Sequence, residues 1–218
     1  MGLPMIKLEN IQKSYGGHTV LKGLTLEIQG GEFVSIMGSS GCGKSTLLNL
    51  IGGMDIPEQG SVIIDGENIS AYTDEDLTLF RRSKVGFIFQ FFNLLPNITV
   101  FENISMPLLL NRAENDEKVG AYIQDMGLGG KENSYPYQLS GGEQQRVAIA
   151  RALIHDPEII LADEPTGSLD SETGTMIMDI IQRLIGETGK TVVLVTHEAH
   201  IAAYAQRRVR MKDGMIFA

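Results

Sequence analysis

The 218-residue chain has one cysteine, no tryptophan, and aromatic side chains at only 6% of its positions. With Cys42 alone, neither an internal disulfide nor a thiolate metal cluster can form, so the fold has to rest on packing. No apolar run approaches the roughly 20 residues of a spanning helix, and the start MGLPMIKLEN lacks the apolar core of a secretory signal. A cytoplasmic protein is expected, whose contact with a membrane has to go through a protein intermediary. Positive charge is scarce too: 18 Lys and Arg against 27 Asp and Glu leave a formal charge of −9. That balance argues against the broad basic surface that nucleic acid or anionic lipid needs, so neither is an expected partner. Low-complexity tracts and solenoid repeats are also absent.

What is present is ordinary globular material, 43% hydrophobic and 21% charged, long enough to bury a substantial core. One domain over residues 1–218 is expected. MIKLENIQ, LTLEI and EFVSIM read as short strands separated by YGG and QGG turns, which makes a β-rich front end. IMGSSGCGKSTLLNLIGGM passes from a buried strand through a glycine loop into a helix, and GSVIIDGENI returns to strand with an Asp65–Gly66 turn. KVGFIFQ, PEIILADE and KTVVLVTHE are apolar strands that each end in polar residues. Between the first two a helical lobe is expected over roughly residues 91–157: the apolar spacing is mostly helical from Thr99 to Leu128, ENSYPYQ interrupts it, and a helix runs from Gly142 to about His155. ETGTMIMDIIQRLI has a helical period, and RVRMKDGMIF reads as a hairpin around Asp213–Gly214.

Gly38-Ser39-Ser40-Gly41-Cys42-Gly43-Lys44-Ser45, followed by Thr46, fits GxxxxGK[ST] in full, in the strand-loop-helix context that the motif requires. Small residues let backbone N–H groups wrap a phosphate, and the helix N-terminus adds a favourable dipole. Lys44 can then reach the β- and γ-phosphates and Ser45 can ligate Mg²⁺. The strand IILA delivers Asp163 to its carboxyl end, where it would hold the Mg²⁺ shell, and Glu164 beside it can polarise an attacking water. Gln90 and His197 close two other apolar strands, and strand ends beside a phosphate loop converge on one site. Cys42 lies near a helix N-terminus, a setting that can lower a thiol pKa, although a small residue that fits the loop is an equal reading. Ser140-Gly141-Gly142, opening LSGGEQQRVAIARAL, looks like a second phosphate turn.

GSSGCGKST, Gln90, LSGGEQQR, ILADEPTGSLD and His197, in this order and spacing, resemble the nucleotide-binding subunit of an ATP-binding cassette (ABC) transporter over essentially the whole chain. The resemblance implies an α/β P-loop NTPase fold: a mixed parallel core sheet, an antiparallel β subdomain and a small helical subdomain. It implies an ATPase using ATP and Mg²⁺. Tyr15 would stack on adenine, Gln90 would sense γ-phosphate and Mg²⁺, His197 would contact the γ-phosphate, and Asp170 would lie at a dimer interface. It also gives the second turn a purpose. In such proteins two copies face head to tail, so that Ser140, Gly141 and Gly142 of one close over the ATP held by Lys44 of the other. The implied partners are a second copy of the chain and an integral membrane permease, at the cytoplasmic face of the membrane. FQFFNLLPNITVFENISMPL is most similar to the subgroup of lipoprotein-releasing LolD, MacB-type exporters and the cell-division protein FtsE. The segment from Asn111 to Gln138 is short for the family's helical lobe, and the ATPase of a solute importer remains the alternative. The regulatory domain of some sugar importers is not expected after the DGMIF hairpin. A chromosome ATPase would need a long coiled coil, and a two-cassette translation factor a second copy of every motif. Phe91, Phe92, Leu94 and Leu95 are expected to divide between the core and a groove for a cytoplasmic helix of the membrane partner.

Overall fold

The computed structural model describes residues 4–186 and 188–217. In chain order the elements are β1 (Ile6–Tyr15), β2 (His18–Ile28), β3 (Phe33–Met37), α1 (Lys44–Ile51), β4 (Gln59–Ile64), β5 (Glu67–Asn68), α2 (Asp74–Lys84), β6 (Val85–Phe89), α3 (Val100–Leu110) and α4 (Asp116–Asp125). Then follow α5 (Gly141–Leu153), β7 (Ile159–Asp163), α6 (Ser171–Gly186), β8 (Thr191–Thr196), α7 (Ala199–Ala202), β9 (Arg207–Lys212) and β10 (Met215–Phe217).

They build two sheets. One is antiparallel, in the order β2-β1-β4-β5; the other runs β10-β9-β3-β8-β7-β6, parallel except for its β10 edge. The strands β3, β7 and β8 are apolar on both faces because both faces are covered. Successive side chains divide between two cores: Ile159, Leu161, Val193 and Val195 pack toward the antiparallel sheet and α1, whereas Ile160, Ala162, Val192 and Leu194 pack toward the helices α3 to α6. The two Asp-Gly pairs form the hairpin turns expected of them, with positive φ at Asp65, Gly66, Asp213 and Gly214.

The sequence reading assigns no element to residues 71–83, and α2 is found there. Its exposed surface is charged and only Leu77 and Phe80 are buried, which leaves little apolar periodicity to detect. The start was nevertheless encoded, since the Thr73 hydroxyl accepts from the Asp76 amide (3.2 Å) while Asp76 accepts from the Thr73 amide (3.1 Å).

Candidate functional site

The parallel register decides where the site lies. Phe89 pairs with Asp163, Asp163 with Val195, and Met37 with Thr196. Gln90, Glu164, His197 and Gly38, each next along the chain, therefore emerge at one end of the sheet. They border an open cleft of about 750 Å³ lined by Val20, residues 39–41 and 43–46, Gln90, Asp163, Glu164 and His197.

The loop from β3 to α1 is possible only with glycine at particular points. A Cβ on Gly38 would lie 2.4 Å from the Met211 carbonyl oxygen and 2.5 Å from the Cys42 sulfur, and Gly43 has φ of 103°. The Cys42 side chain packs into the core against Gly38, at 6% exposure, so it offers only its backbone to the loop. The bland reading of this thiol is the one the geometry favours. α1 starts with no side-chain cap and no acidic residue in its first turn. The amides that a helix N-terminus leaves over thus stay available for an anion.

Lys44 is almost fully buried. Its Nζ donates to the carbonyls of Gly38 (2.9 Å) and Ser39 (3.1 Å) and lies 3.5 Å from Glu164 Oε1. Glu164 adopts a left-handed backbone, φ 44°, which costs a non-glycine residue about 1 kcal/mol or more. Its amide is held by the Val195 carbonyl, and its Oε2 lies 2.7 Å from Nδ1 of His197. The carboxylate thus joins the loop lysine to the β8 histidine. Burial pushes the Asp163 carboxyl above its ordinary value; a hydrogen bond from the Ser45 hydroxyl opposes this, Glu164 adds to it, and Lys44 again opposes it. A cation between Ser45 and Asp163 would relieve that strain. No cluster of three or more His, Cys, Asp or Glu able to cage a metal occurs among the described residues. One hydroxyl and one carboxylate suit Mg²⁺, which takes few protein ligands and completes its shell with phosphate oxygens and water.

Tyr15 stands outside the cleft lining, at the end of β1. Its hydroxyl donates to Asp55 (2.6 Å), Lys13 Nζ lies 5.2 Å from the ring centroid, and the side chain also meets the Thr46 hydroxyl, which puts it beside the phosphate loop with the ring half-exposed. Ser140, Gly141 and Gly142 do not reach the cleft. They line a separate concavity of about 340 Å³ with Arg146, Ser168, Leu169, Asp170, Thr173 and Met176. Asp170 caps α6 there, accepting from the Thr173 amide (2.9 Å) and hydroxyl (2.7 Å). The two glycine turns share no lining residue.

The segment after Gln90 is pinned from two sides. Fully buried Asn103 accepts from the Leu95 amide (2.9 Å) and donates to the carbonyls of Leu95, Ile98 and Thr99, while Arg151 donates to those of Phe92 and Asn93. Sequence reasoning missed both residues; an asparagine inside the apolar period of α3 was the one available signal. Leu94 packs into the helical core and Phe92 approaches Gly141, whereas Phe91 (71%) and Leu95 (44%) face solvent.

A fold with a strand-loop-helix phosphate cradle, acids at the adjacent strand end and a second glycine turn on another face defines an ABC-type P-loop ATPase. The chain matches the ABC transporter family model over residues 21–167 and belongs to that family. It is 48% identical to the ABC transporter ATP-binding protein MJ0796 of Methanocaldococcus jannaschii, across 97% of this chain and 95% of that protein. Against the lipoprotein-releasing system ATP-binding protein LolD of Aquifex aeolicus the identity is 45%, across 97% and 96%. Against the macrolide export ATP-binding/permease protein MacB of Campylobacter jejuni it is 46%, across 98% of this chain but 34% of that protein. The dimeric structure of MJ0796 in a post-hydrolysis state, bound to ADP and Pi, superposes with a TM-score of 0.91 at 45% identity, covering 98% of this chain and 97% of that one. No helix among the described residues is long and apolar enough to cross a membrane.

Proposed function

We propose that this ABC ATPase binds ATP with Mg²⁺ and hydrolyses it as a head-to-tail homodimer, powering a separate membrane protein of the lipoprotein-release or export type from the cytoplasmic face. The observation that carries this reading is the convergence of Lys44, Ser45, Gln90, Asp163, Glu164 and His197 on one cleft, with Ser140–Gly142 on another. Lys44 exchanges its two carbonyl partners for β- and γ-phosphate oxygens, a charge-assisted and stronger contact. Ser45 and Asp163, with Gln90 at the edge, would hold Mg²⁺, which would supply neutralisation of phosphate charge there. Glu164 takes the proton of the attacking water, while His197 donates from Nδ1 to that carboxylate and stands beside the γ-phosphate. Ser140, Gly141 and Gly142 of a second copy close the far side. Two identical chains then give two such sites under closed two-fold symmetry.

Glu164→Gln keeps the volume of the side chain but removes the base. Hydrolysis is expected to fall about a hundredfold or more while ATP stays bound, so that the dimer accumulates. Size measurement with ATP and Mg²⁺ checks this; a variant that stays monomeric at micromolar concentration would contradict the composite site.

For the membrane partner we infer a seat beside the segment after Gln90. A hollow of about 320 Å³ has a floor of Phe87, Phe89, Met106, Pro107 and Leu110, with Arg81, Arg82 and Arg151 around it. Exposed Phe91 and Leu95 lie in the neighbouring segment. An amphipathic cytoplasmic helix of the permease fits this surface. Replacing Phe91 and Leu95 with Ser is expected to leave basal ATPase activity within about twofold and to weaken co-purification with the permease about tenfold, a loss of about 1.4 kcal/mol. Collapse of ATPase activity with assembly intact would make the segment core instead.

A further inference from the structure

One turn beyond Ser140–Gly142, α5 carries a buried polar side chain that no step above uses. Gln145 is 0% exposed, and its Nε2 donates to the Pro165 carbonyl at 2.7 Å and, more weakly, to the Phe89 carbonyl at 3.4 Å. Its Oε1 has no hydrogen-bond partner among the described residues. Both neighbours are acceptors, so the orientation of the amide is fixed with its donors toward them. A residue that served only to fill this space would be apolar, because a buried acceptor left unpartnered is unfavourable. The donors are what the site uses.

The two carbonyls have a shared significance. Phe89 immediately precedes Gln90, and Pro165 immediately follows Glu164. The loops that continue from them also brace each other: Ser168 Oγ donates to the Gln90 carbonyl at 2.8 Å, and a Cβ on Gly167 would stand 2.9 Å from Gln90 Nε2. One amide on α5 is therefore bonded to both loops at the points where they enter and leave the catalytic groups.

We infer that Gln145 is the positioning residue through which the N-terminal end of α5 sets the placement of Gln90 and Glu164 in the nucleotide cleft. A phosphate engaged at Ser140–Gly142 acts on the first turn of α5. Any shift of that turn passes through Gln145 to the carbonyls beside the γ-phosphate sensor and the base. The occupancy of one half-site is thereby felt in the other half-site of the same chain. The inference rests on the proposed ATPase reading, with Glu164 as base.

The test compares Gln145→Met, which keeps the length and removes both donors, with wild type. The expected result is a kcat lower by about tenfold with the KM for ATP within about twofold, since misplacement of catalytic groups lowers turnover without loss of phosphate contacts. Amide hydrogen exchange is expected to rise in residues 90–93 and 166–168 and to stay unchanged in residues 38–46. If Gln145→Met does not yield folded protein, Gln145→Asn gives the same reading, because it keeps an amide one methylene too short to span both carbonyls. Wild-type kcat in the folded variant overturns the proposal, as does a uniform rise in exchange, which would mark a purely structural role. Glu164→Gln run in parallel separates the two claims. If that variant hydrolyses ATP like wild type, the functional reading itself fails; if only the Gln145 variants behave like wild type, the positioning role alone fails.

Discussion

The N-termini of α1 and α5 both lie beside paired or spaced glycines, before the first turn in α1 and within it in α5, yet they are finished in opposite ways. α1 begins on Gly43 with no cap, no acid in its first turn, and Lys44 and Ser45 as its first two residues. α5 begins on Ser140 with a complete capping box: Glu143 accepts from the Ser140 amide at 2.8 Å and hydroxyl at 3.0 Å, and pairs with Lys131. The first end keeps its unpaired amides and adds a cation. The second is already neutralised by its own carboxylate, and its first turn contains no cation of its own. A phosphate should therefore be held by α1 without help, and by α5 only when something else presents it. That asymmetry is what the proposed composite site would require, because each chain would have to hold its own nucleotide before closing over another's.

The comparison breaks most easily at Lys44. Lys44→Ala removes the cation from the open end, and ATP affinity of the chain is expected to fall about ten- to a hundredfold, corresponding to about 1.5–3 kcal/mol for a hydrogen bond to a charged group. Titration with a fluorescent ATP analogue measures it. Unchanged affinity would mean that the two ends do not differ as described.

Ser140→Ala addresses the other end. Loss of the cap should cost about 1 kcal/mol of stability and leave ATP binding by a single chain within about twofold. The ATP-dependent dimer of the Glu164→Gln background should weaken in the same variant. A matching loss of monomer affinity would place Ser140 in the wrong half-site.

How much of this was legible beforehand follows from the range of the interactions involved. β3, β7 and β8 are continuous apolar runs, and the residues that end them are polar, so the gathering of Asp163, Glu164 and His197 at one end of the sheet was legible without coordinates. The phosphate loop was legible because close backbone approach at Gly38 and positive φ at Gly43 both demand glycine. α2 was missed because two buried residues make a weak helical period, even though its Thr73–Asp76 box was written in the sequence. Gln145 and Arg151 were missed for a different reason. Gln145 and Arg151 bond main-chain carbonyls 20 to 59 residues away, and nothing in a sequence indicates which carbonyl a polar side chain will meet. The separation of the two glycine turns was likewise an implication of resemblance until the fold set them on different surfaces.

The smallest expected effect sharpens the comparison most directly. Lys131 and the Ser140 amide hold the Glu143 carboxyl at about 2, well below its ordinary value of 4.5. Because the folded value is depressed, the stabilisation is complete above 4.5 and is lost as pH falls from there toward about 2. Glu143→Gln keeps an acceptor for the Ser140 amide but removes the charge that opposes the helix dipole and pairs with Lys131. It is expected to lower stability at pH 7 by about 0.5–1 kcal/mol, the range for a partly exposed charge at a helix N-terminus. The unfolding curves of variant and wild type should converge as pH falls from about 4.5 toward about 2, the window in which the unfolded chain binds the proton more readily than the folded one. The same change leaves α5 more like α1, with an N-terminus no longer neutralised from within. If self-capping is what restrains this end, the ATP-dependent dimer of the Glu164→Gln background should become tighter by about two- to threefold when Glu143→Gln is added, read from its midpoint in a concentration series. A weaker dimer would show that the Glu143 carboxylate orders the turn for the partner's phosphate, and that the two N-termini differ in how they are built and not in how readily they accept an anion.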